Sequence, residues 1–330
     1  MSGPTAAYRY GTRLAEIRLE NHIFMARQIG PLRAWAEFAA LAPPWALLRL
    51  LPLERAVRVG AAMGLAASAF DRHNRSIARR NIAIAFAAKS ESERGGILRA
   101  TYRNFGRMIA EWVHFLELGP ANIERYVTYE GREYWADAIR RSDGRGIAIL
   151  TGHFGNFELL SLAHSIYGNR VAIVQRPNRN PVLDNAIAAR RQRFDNLTVA
   201  RKGAARQVAQ LLHNDWMVAV PLDLDTRHGV FAHFFGLPAA TSPALARLAM
   251  ATGAPVLPAF MVREGDTPRH RITFLPVIEL CSSGDRRECV RENTQRFTDV
   301  IESMIRRYPD HWNWIHRRWK TRPNGEPRFY

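Results

Sequence analysis

The stretch Gly146-Ile-Ala-Ile-Leu-Thr-Gly-His-Phe-Gly-Asn-Phe-Glu158 joins a short apolar run to an imidazole and a carboxylate. The apolar part, residues 146–150, predicts a buried strand. His153 follows directly after that strand, and a candidate helix begins at residue 155. Open α/β sheets usually present their chemical groups where a strand ends and a helix begins. We therefore predict a strand, a turn that carries His153, and a helix.

His153 and Glu158 are the candidate catalytic pair. On one ideal helix, residues five apart point about 140° away from each other, so the two side chains can meet only if His153 lies in the turn and Glu158 in the helix. A neutral histidine can take a proton from an alcohol, and a carboxylate on its other ring nitrogen fixes the tautomer and stabilises the imidazolium. We predict a general base, His153, oriented by Glu158. The alternative is a structural pair at a helix start, where a carboxylate is favourable in any protein.

The same residues resemble a known family. The His-x4-Glu pattern at 153–158 is similar to the signature of the lysophospholipid acyltransferase superfamily, in the form used by its bacterial lipid A late acyltransferase branch. Blocks at residues 175–184, 223–236 and 312–323 resemble further motifs of that branch and occur in the same order. The His-x4-Glu pattern alone is a weak signal because short patterns recur by chance, and the ordered blocks make it specific. The resemblance covers roughly residues 75–323.

The resemblance implies an O-acyltransferase that moves a fatty acyl chain from a thioester to a hydroxyl of a lipid A precursor. Lysophospholipid and a mannosylated phosphoinositide stay open as acceptors, because the same chemistry serves them. The usual donor in the family is acylated acyl carrier protein, and no cofactor beyond the thioester is expected. The implied location is the cytoplasmic face of the inner membrane. The implied partners are acyl carrier protein, anionic membrane lipid and the phosphorylated glycolipid acceptor.

Further residues are candidates for substrate contacts. The resemblance implies that Arg176 holds a phosphorylated sugar or the carrier's phosphopantetheine, and a guanidinium fork does match phosphate oxygens. The oxyanion of acyl transfer needs donors at a helix start, and the backbone amides after Gly155, including that of Asn156, are in the right place. Asp223 and Asp225 follow a predicted strand, and we interpret them as structural or substrate-orienting.

Asp223 and Asp225 also suggest a rival enzyme class. A D-x-D after a strand can hold a divalent metal on a sugar nucleotide, as in many glycosyltransferases. Such an enzyme would not need the pair of His153 and Glu158, and the matching acyltransferase block contains its own D-x-D. We therefore predict no metal at these residues.

The composition indicates an acidic partner. The chain has 330 residues, 47% of them hydrophobic, and 47 basic against 30 acidic side chains give a net charge of +17. Anionic lipid, acidic protein and nucleic acid all fit that charge. Nucleic-acid binding is the non-enzyme alternative, but no recognisable module supports it, and we predict no nucleic-acid partner. The tail at residues 312–320 mixes tryptophan with arginine, which is typical of a membrane interface, a phosphate contact, a base-stacking surface or the edge of a core.

Cysteine usage and the N-terminal region bear on location. Only Cys281 and Cys289 are present, and we predict two free thiols in a reducing compartment, with one bridge between them as the alternative. The first twenty residues are charged and contain no apolar core segment, so no secretory signal is expected. The best spanning candidate, residues 34–48, contains Glu37 and two prolines and falls short. We predict interfacial attachment through residues 34–70, with a helical layer packed on the core as the alternative.

The chain divides in composition near residue 120. We predict a helical, membrane-associating region at 1–120 and an α/β acyltransferase domain at 121–330, with a mixed, mostly parallel sheet flanked by helices. Ser90 and Glu93 form a candidate capping box. The predicted strands are at residues 145–151, 171–175, 197–200, 216–221, 255–262 and 270–277. The predicted helices of the α/β part are at residues 155–167, 181–195, 203–214, 242–252 and 287–307.

Overall fold

The computed structural model describes residues 29–175, 179–192, 196–200 and 203–330. The strands, in chain order, are β1 Val127–Glu130, β2 Ala148–Thr151, β3 Val171–Gln175, β4 Leu197–Ala200, β5 Met217–Pro221, β6 Val230–Phe234, β7 Leu237–Thr241, β8 Val256–Arg263 and β9 His270–Phe274. The helices are α1 Pro31–Ala40, α2 Ala42–Leu50, α3 Leu53–Phe70, α4 Arg72–Ala85, α5 Glu91–His114, α6 Arg132–Ser142, α7 Phe157–Ile166, α8 Pro181–Gln192, α9 Ala204–His213, α10 Ala244–Thr252 and α11 Arg286–Arg307.

A single large sheet organises the part of the chain that the structure describes. Its strand order is β1-β9-β8-β2-β5-β3-β4, and β6 and β7 form a separate antiparallel hairpin. Within the large sheet only β8 and β9 pair antiparallel, and the other neighbours are parallel. Parallel strands need crossover connections, which the helices between them provide. The predicted mixed, mostly parallel sheet flanked by helices is confirmed.

The two faces of the sheet bury two different cores. Ile149 pairs with Ala219 and Leu257, so these side chains share one face, and they pack with α7. The neighbouring residues, such as Leu150 and Val218, point to the opposite face and pack with α9, α10, α11 and the C-terminal tail. The alternation follows from the two-residue repeat of a strand.

The sequence-based prediction found six of these strands and missed three. β1, β6 and β7 lie outside the predicted set, as does helix α6. β1 is only four residues long and has one fully buried position, so its apolar signal is weak. β6 and β7 meet in a tight turn at Phe235, whose φ is 51°. β7 does not alternate between buried and exposed residues, so the periodic signal of a strand is weak there.

Helices α1 to α5 precede the first strand in the chain and form a helical layer. The capping box at the start of α5 is confirmed, because the Ser90 hydroxyl accepts from the Glu93 amide while the Glu93 carboxylate accepts from the Ser90 amide. α3 and α5 cross closely, and a Cβ on Gly106 would lie 1.9 Å from the carbonyl oxygen of Gly60. None of the helices in the described ranges is long and apolar enough to cross a bilayer. The division near residue 120 stays a prediction.

The structure decides two predictions about the C-terminal part of the chain, the state of its cysteines and the position of its tryptophans. Cys281 and Cys289 form a disulfide, so the prediction of two free thiols was wrong. The loop at 282–285 folds back and brings their Cα atoms to 5.1 Å, within the range that a disulfide spans. Of the alternatives for the tail, burial in the core is the one observed: Trp312, Trp314 and Trp319 are buried.

Candidate functional site

The turn between β2 and α7 carries His153, as the sequence predicts. The C-terminal tail holds this turn at three points: Phe154 forms a β-bridge with Trp312, the Gly155 amide donates to the His311 carbonyl at 2.8 Å, and the His153 carbonyl accepts from Asn313 at 3.1 Å. The backbone of the turn is therefore fixed by residues that come more than 150 positions later. The tail is part of the site because it shapes this turn.

The backbone conformation of the turn requires a glycine at position 155. Its φ is +56°, and a Cβ at this position would lie 1.9 Å from the Met261 carbonyl oxygen on β8. Any side chain would be strained and would also collide with the sheet. Because the Gly155 amide already donates to His311, it is engaged in the turn and is not offered to a substrate oxyanion.

Asp223, at the end of β5, is the direct partner of His153. The His153 amide donates to Oδ2 of Asp223 at 2.7 Å, and Nδ1 of the ring lies 2.9 Å from Oδ1. Trp312 donates its indole N–H to Oδ2 at 2.8 Å. The neighbouring Gly152 gives Asp223 room, because a Cβ there would lie 3.2 Å from its carboxylate. With Nδ1 held by Asp223, Nε2 is the ring nitrogen that can exchange a proton with a ligand.

The pairing shifts the pKa of both groups. Burial alone would lower the pKa of His153, but the charge and hydrogen bond of Asp223, together with the charge of Glu158, raise it above its ordinary value. Burial alone would raise the pKa of Asp223, but His153 and the bonds from the His153 amide and Trp312 hold it well below its ordinary range. Asp223 is therefore an anion that favours protonation of His153.

Glu158 lies in the first turn of α7 and lines the same cavity as His153. Its charge contributes to the raised pKa of His153, after the larger contributions of Asp223. The orienting contact on Nδ1, which the sequence assigned to Glu158, is made by Asp223. This corrects the partner in the predicted dyad while keeping Glu158 beside the reacting group.

Asn156 connects the turn to a buried ion cluster. Its side-chain oxygen caps α7 by accepting from the Leu159 amide at 3.1 Å, and its Nδ2 donates to Oε2 of Glu111 at 2.7 Å. Asn156 is buried and does not line the cavity, so its observed contacts are with the protein. The oxyanion contact expected of the Asn156 backbone amide stays a prediction.

Glu111 is the centre of that cluster. Its carboxylate accepts two hydrogen bonds from the Arg263 guanidinium and one from Nε2 of His270, at 2.9 Å. Burial raises the pKa of Glu111, but His270 and Arg263 outweigh it and lower the pKa to about 2. Burial lowers the pKa of His270 below its ordinary value. The cluster joins α5, β8 and β9 to the N-terminal end of α7 through Asn156.

Asp225 anchors the tail. Its two carboxylate oxygens accept from the amide and the hydroxyl of Thr321, at 2.9 and 3.0 Å, and its own amide donates to Nε2 of His316. Asp225 and His316 also line the cavity. These contacts fit the structural role predicted for Asp225. No group of three potential metal ligands occurs among the residues whose positions are described. Arg176 lies outside those residues.

A cavity of about 890 Å³ opens at His153. Most of its wall is apolar and comes from β2, β3, β5, α7, α9 and α10, while Glu158, Asp225 and His316 supply polar groups near His153. The volume falls within the range of small-molecule and cofactor sites. The arrangement places a proton acceptor, already paired with a buried carboxylate, at the mouth of a space suited to an aliphatic chain.

The sequence alone did not identify Asp223, Glu111 and His316 in these roles. Asp223 was recognised as a candidate, but its pairing with His153 depends on the register Thr151↔Pro221 between two strands far apart in sequence. Glu111 sits on a helix where charged residues are common, and its only sequence signal is its place among apolar neighbours. His316 lies in the tail block that the sequence marked for its tryptophans.

Comparisons with known proteins give a consistent result. The family model described as "Bacterial lipid A biosynthesis acyltransferase" matches residues 26–321. The lipid A biosynthesis palmitoleoyltransferase of Escherichia coli (strain K12) is 26% identical over 302 residues, covering 90% of this chain and 95% of the relative. The myristoyltransferase of the same organism is 26% identical with 90% of each chain covered, and the lauroyltransferase is 27% identical with 90% and 95% covered.

Replacing Glu111 tests the buried cluster. Glu111→Ala leaves Arg263 and His270 buried without their carboxylate, and removing one partner of such a cluster typically costs about 3–5 kcal/mol of unfolding free energy. We expect this loss in urea unfolding monitored by circular dichroism. The matched control is Glu279→Ala, which removes an exposed ion pair with Arg141 and should change stability little.

The pH dependence of Glu111→Gln gives a sharper outcome. The pKa of Glu111 falls from an ordinary 4.5 to about 2 on folding, so its contribution to stability is present above pH 4.5 and is lost as the pH falls towards 2. The stability difference between the wild type and Glu111→Gln should therefore shrink across that window. A difference that stays constant would contradict an ionised Glu111.

Proposed function

The chain belongs to the bacterial lipid A biosynthesis acyltransferase family, and on that basis we propose that it transfers a fatty acyl chain from an acyl thioester to a hydroxyl of a lipid A precursor. Membership of this family identifies the chain as an acyltransferase. The donor, the catalytic residues and the location are our proposal. The observation that carries it is the pairing of His153 with Asp223 at the mouth of a large apolar cavity.

Nε2 of His153 takes the proton of the acceptor hydroxyl as its oxygen attacks the thioester carbonyl carbon. The C–S bond of the tetrahedral intermediate then breaks, and the leaving thiolate receives that proton from the imidazolium. The products are an ester and a free thiol, and His153 returns to its neutral form. The Asp223 carboxylate holds the ring and stabilises the imidazolium between the two steps, and Glu158 adds negative charge on the side of α7.

Acylated acyl carrier protein is the proposed donor. The net charge of +17 favours an acidic partner, and a carrier that presents its chain as a thioester brings both charge and substrate. A phosphorylated acceptor is attracted by the same field. Lysophospholipid is the second candidate acceptor, because the site chemistry demands only a hydroxyl and an acyl thioester.

Helices α1 and α2 are the proposed membrane contact, on the cytoplasmic face of the inner membrane. Leu32 and Leu50 are 88% and 84% exposed, and Trp35 is also exposed. Arg33 and Arg49 lie among them and suit anionic headgroups. Trp45 packs edge-on against Trp112 with ring centroids 5.5 Å apart and belongs to the helical layer.

Transfer itself is tested with purified protein, acylated acyl carrier protein and a lipid A precursor, with the product identified by mass spectrometry. His153→Ala should lower the transfer rate about 10²- to 10⁴-fold, the range for loss of a general base. The matched control is His213→Ala, at the end of α9 just before the beginning of β5 and therefore away from the strand ends that carry His153 and Asp223, which should keep the wild-type rate. Normal transfer by folded His153→Ala protein would refute the mechanism.

The pH–rate profile separates the two carboxylates. The base must be neutral, and its pKa is raised, so the wild-type rate should rise with pH and reach half its plateau above the ordinary histidine value of 6.5. Asp223→Asn removes the larger cause of the increase and should move that midpoint down further than Glu158→Gln does. A larger shift for Glu158→Gln would make Glu158 the principal partner. Thermal unfolding checks that both variants fold.

Membrane attachment is tested by sedimentation with vesicles. We expect binding to vesicles that contain anionic phospholipid, weaker binding to purely zwitterionic vesicles, and a decrease at high salt. Leu32→Glu combined with Leu50→Glu should weaken binding severalfold, because two exposed apolar side chains become charged. The control is Ile139→Glu on α6, which is also exposed. Equal losses in both variants would show that α1 and α2 are not the contact.

A further inference from the structure

Residues on both faces of the sheet line the cavity that contains His153, and we call these two parts of its wall the α7 arm and the α9 arm. In β5, Met217 and Ala219 point to the face covered by α7, and Val218 and Val220 point to the other face. The α7 arm is lined by Leu160, Ser161 and His164 of α7 and by Ile149, Ala219 and Met217 of the sheet. The α9 arm is lined by Val208, Leu245, Leu248, Val174, Val220 and Leu222. His153 lines the same cavity as both sets of residues.

The α7 arm is the one aligned with the reacting groups. Phe157 and Glu158, in the first turn of α7, line the mouth beside His153, and the Phe157 ring stacks edge-on against the imidazole at 5.1 Å. Further along α7, Leu160, Ser161 and His164 face the same space, as residues three, four and seven positions after Phe157 should. A chain whose thioester carbonyl lies at His153 therefore continues between α7 and the sheet.

At the end of the α7 arm away from His153 lies a group of side chains that contact one another. His164 lines the arm there, with Nδ1 2.6 Å from the Tyr129 hydroxyl and Nε2 3.0 Å from Sδ of Met217. Trp135 packs edge-on against the His164 ring at 4.7 Å, and Phe274 lines the arm beside it. Burial lowers the pKa of His164 to about 3, so the ring is neutral and adds no charge to the wall.

The length of the α7 arm follows from the number of residues of β5 that run along it. Pro221 pairs with Thr151, the last residue of β2 before the His153 turn, and Met217 lies four residues back along β5. At about 3.3 Å per residue this is ~13 Å. An extended aliphatic chain with bonds of about 1.5 Å advances ~1.3 Å per carbon along its zigzag. The arm therefore holds about ten carbons, with one or two more bridging from the carbonyl at His153.

We propose that Met217, His164 and Phe274 close the pocket for the transferred acyl chain and restrict that chain to about ten to twelve carbons, the length that the strand spacing allows. This inference rests on the proposed acyl transfer and adds the substrate length to it. Each methylene that enters an apolar pocket strengthens binding about fourfold, so chains that fill the arm are favoured over shorter ones. Longer chains meet the closed end.

The test is competition among acyl carrier protein thioesters of four to sixteen carbons, with products quantified by mass spectrometry. The wild type should transfer chains of ten to twelve carbons at least about tenfold better than sixteen-carbon chains, because four further methylenes have no room. Met217→Ala should raise the relative rate for fourteen- and sixteen-carbon chains. Ala219→Phe fills the arm halfway along and should shift the preference about five carbons shorter, from the same strand spacing.

The matched control is Val220→Phe, the next residue of the same strand, which adds an aromatic ring to the α9 arm. It should leave the chain-length profile unchanged. A shift in Val220→Phe with none in Ala219→Phe would assign the chain to the α9 arm and overturn the proposal. Ala219→Leu, a smaller change with the same expected direction, replaces Ala219→Phe if thermal unfolding shows that the larger variant does not fold.

The outcomes separate this inference from the proposed function. No transfer by the wild type from any thioester would refute the proposed acyl transfer itself. Transfer with a flat length profile, or a profile that Met217→Ala and Ala219→Phe both leave unchanged, would refute only the role of the α7 arm. A profile that shifts in opposite directions in those two variants supports it.

Discussion

The buried carboxylate of Asp223 is the constraint on which the site depends. It lies at the end of β5 and accepts from the His153 amide and the Trp312 indole while pairing with the His153 ring. A buried charge is tolerated only when its hydrogen bonds are complete and opposite charge is near. The end of β5, the turn after β2 and the C-terminal tail must therefore all be in place together. Arg318 of the tail, also buried, adds a compensating cation for Asp223.

A second buried carboxylate fixes the other side of the same turn. Glu111 reaches from α5 to Arg263 and His270 on the sheet and holds Asn156, which caps α7. The position of α7 decides where Glu158 and the walls of the α7 arm lie. Helix α5 is thus coupled to the turn that carries His153, although it belongs to the region that the sequence separated from the α/β part. The ion pairs of Glu111 therefore hold the residue that caps α7, and α7 in turn forms part of the cavity wall.

Hydrophobic pattern and motif spacing predicted much of the architecture, including the turn that carries His153. The apolar run before His153 identified β2, and the following turn and helix were placed correctly because a strand, a turn and a helix are local features. The hairpin β6–β7 and the short β1 were missed, since each offers few buried positions. Sequence spacing suggested a meeting of His153 with Glu158, because those residues are near each other in the chain.

Sequence spacing could not identify Asp223 as the partner of His153, because the two residues meet only through the parallel pairing of β2 and β5. Spacing along a helix says nothing about register between strands seventy residues apart. Likewise, the tryptophans of the tail gave equal support to a membrane contact and to a core position. The Trp312 indole decides between them, since its hydrogen bond to Asp223 requires a buried tail.

The apolar cavity and the buried pair of His153 and Asp223 also depend on each other. An empty apolar space of this size forgoes the contacts that a filled core would make, so it lowers stability unless the surrounding groups are held independently. Asp223 and Glu111 hold the sheet, the tail and α7 without help from a ligand. In the proposed function, an acyl chain in the cavity supplies those contacts and binds only the folded state, so it adds stability that grows with the logarithm of its concentration over its dissociation constant. In the proposed reaction the bound chain also excludes water from the space around His153, which lowers the local dielectric constant. The attraction between the His153 imidazolium and the Asp223 carboxylate is then stronger.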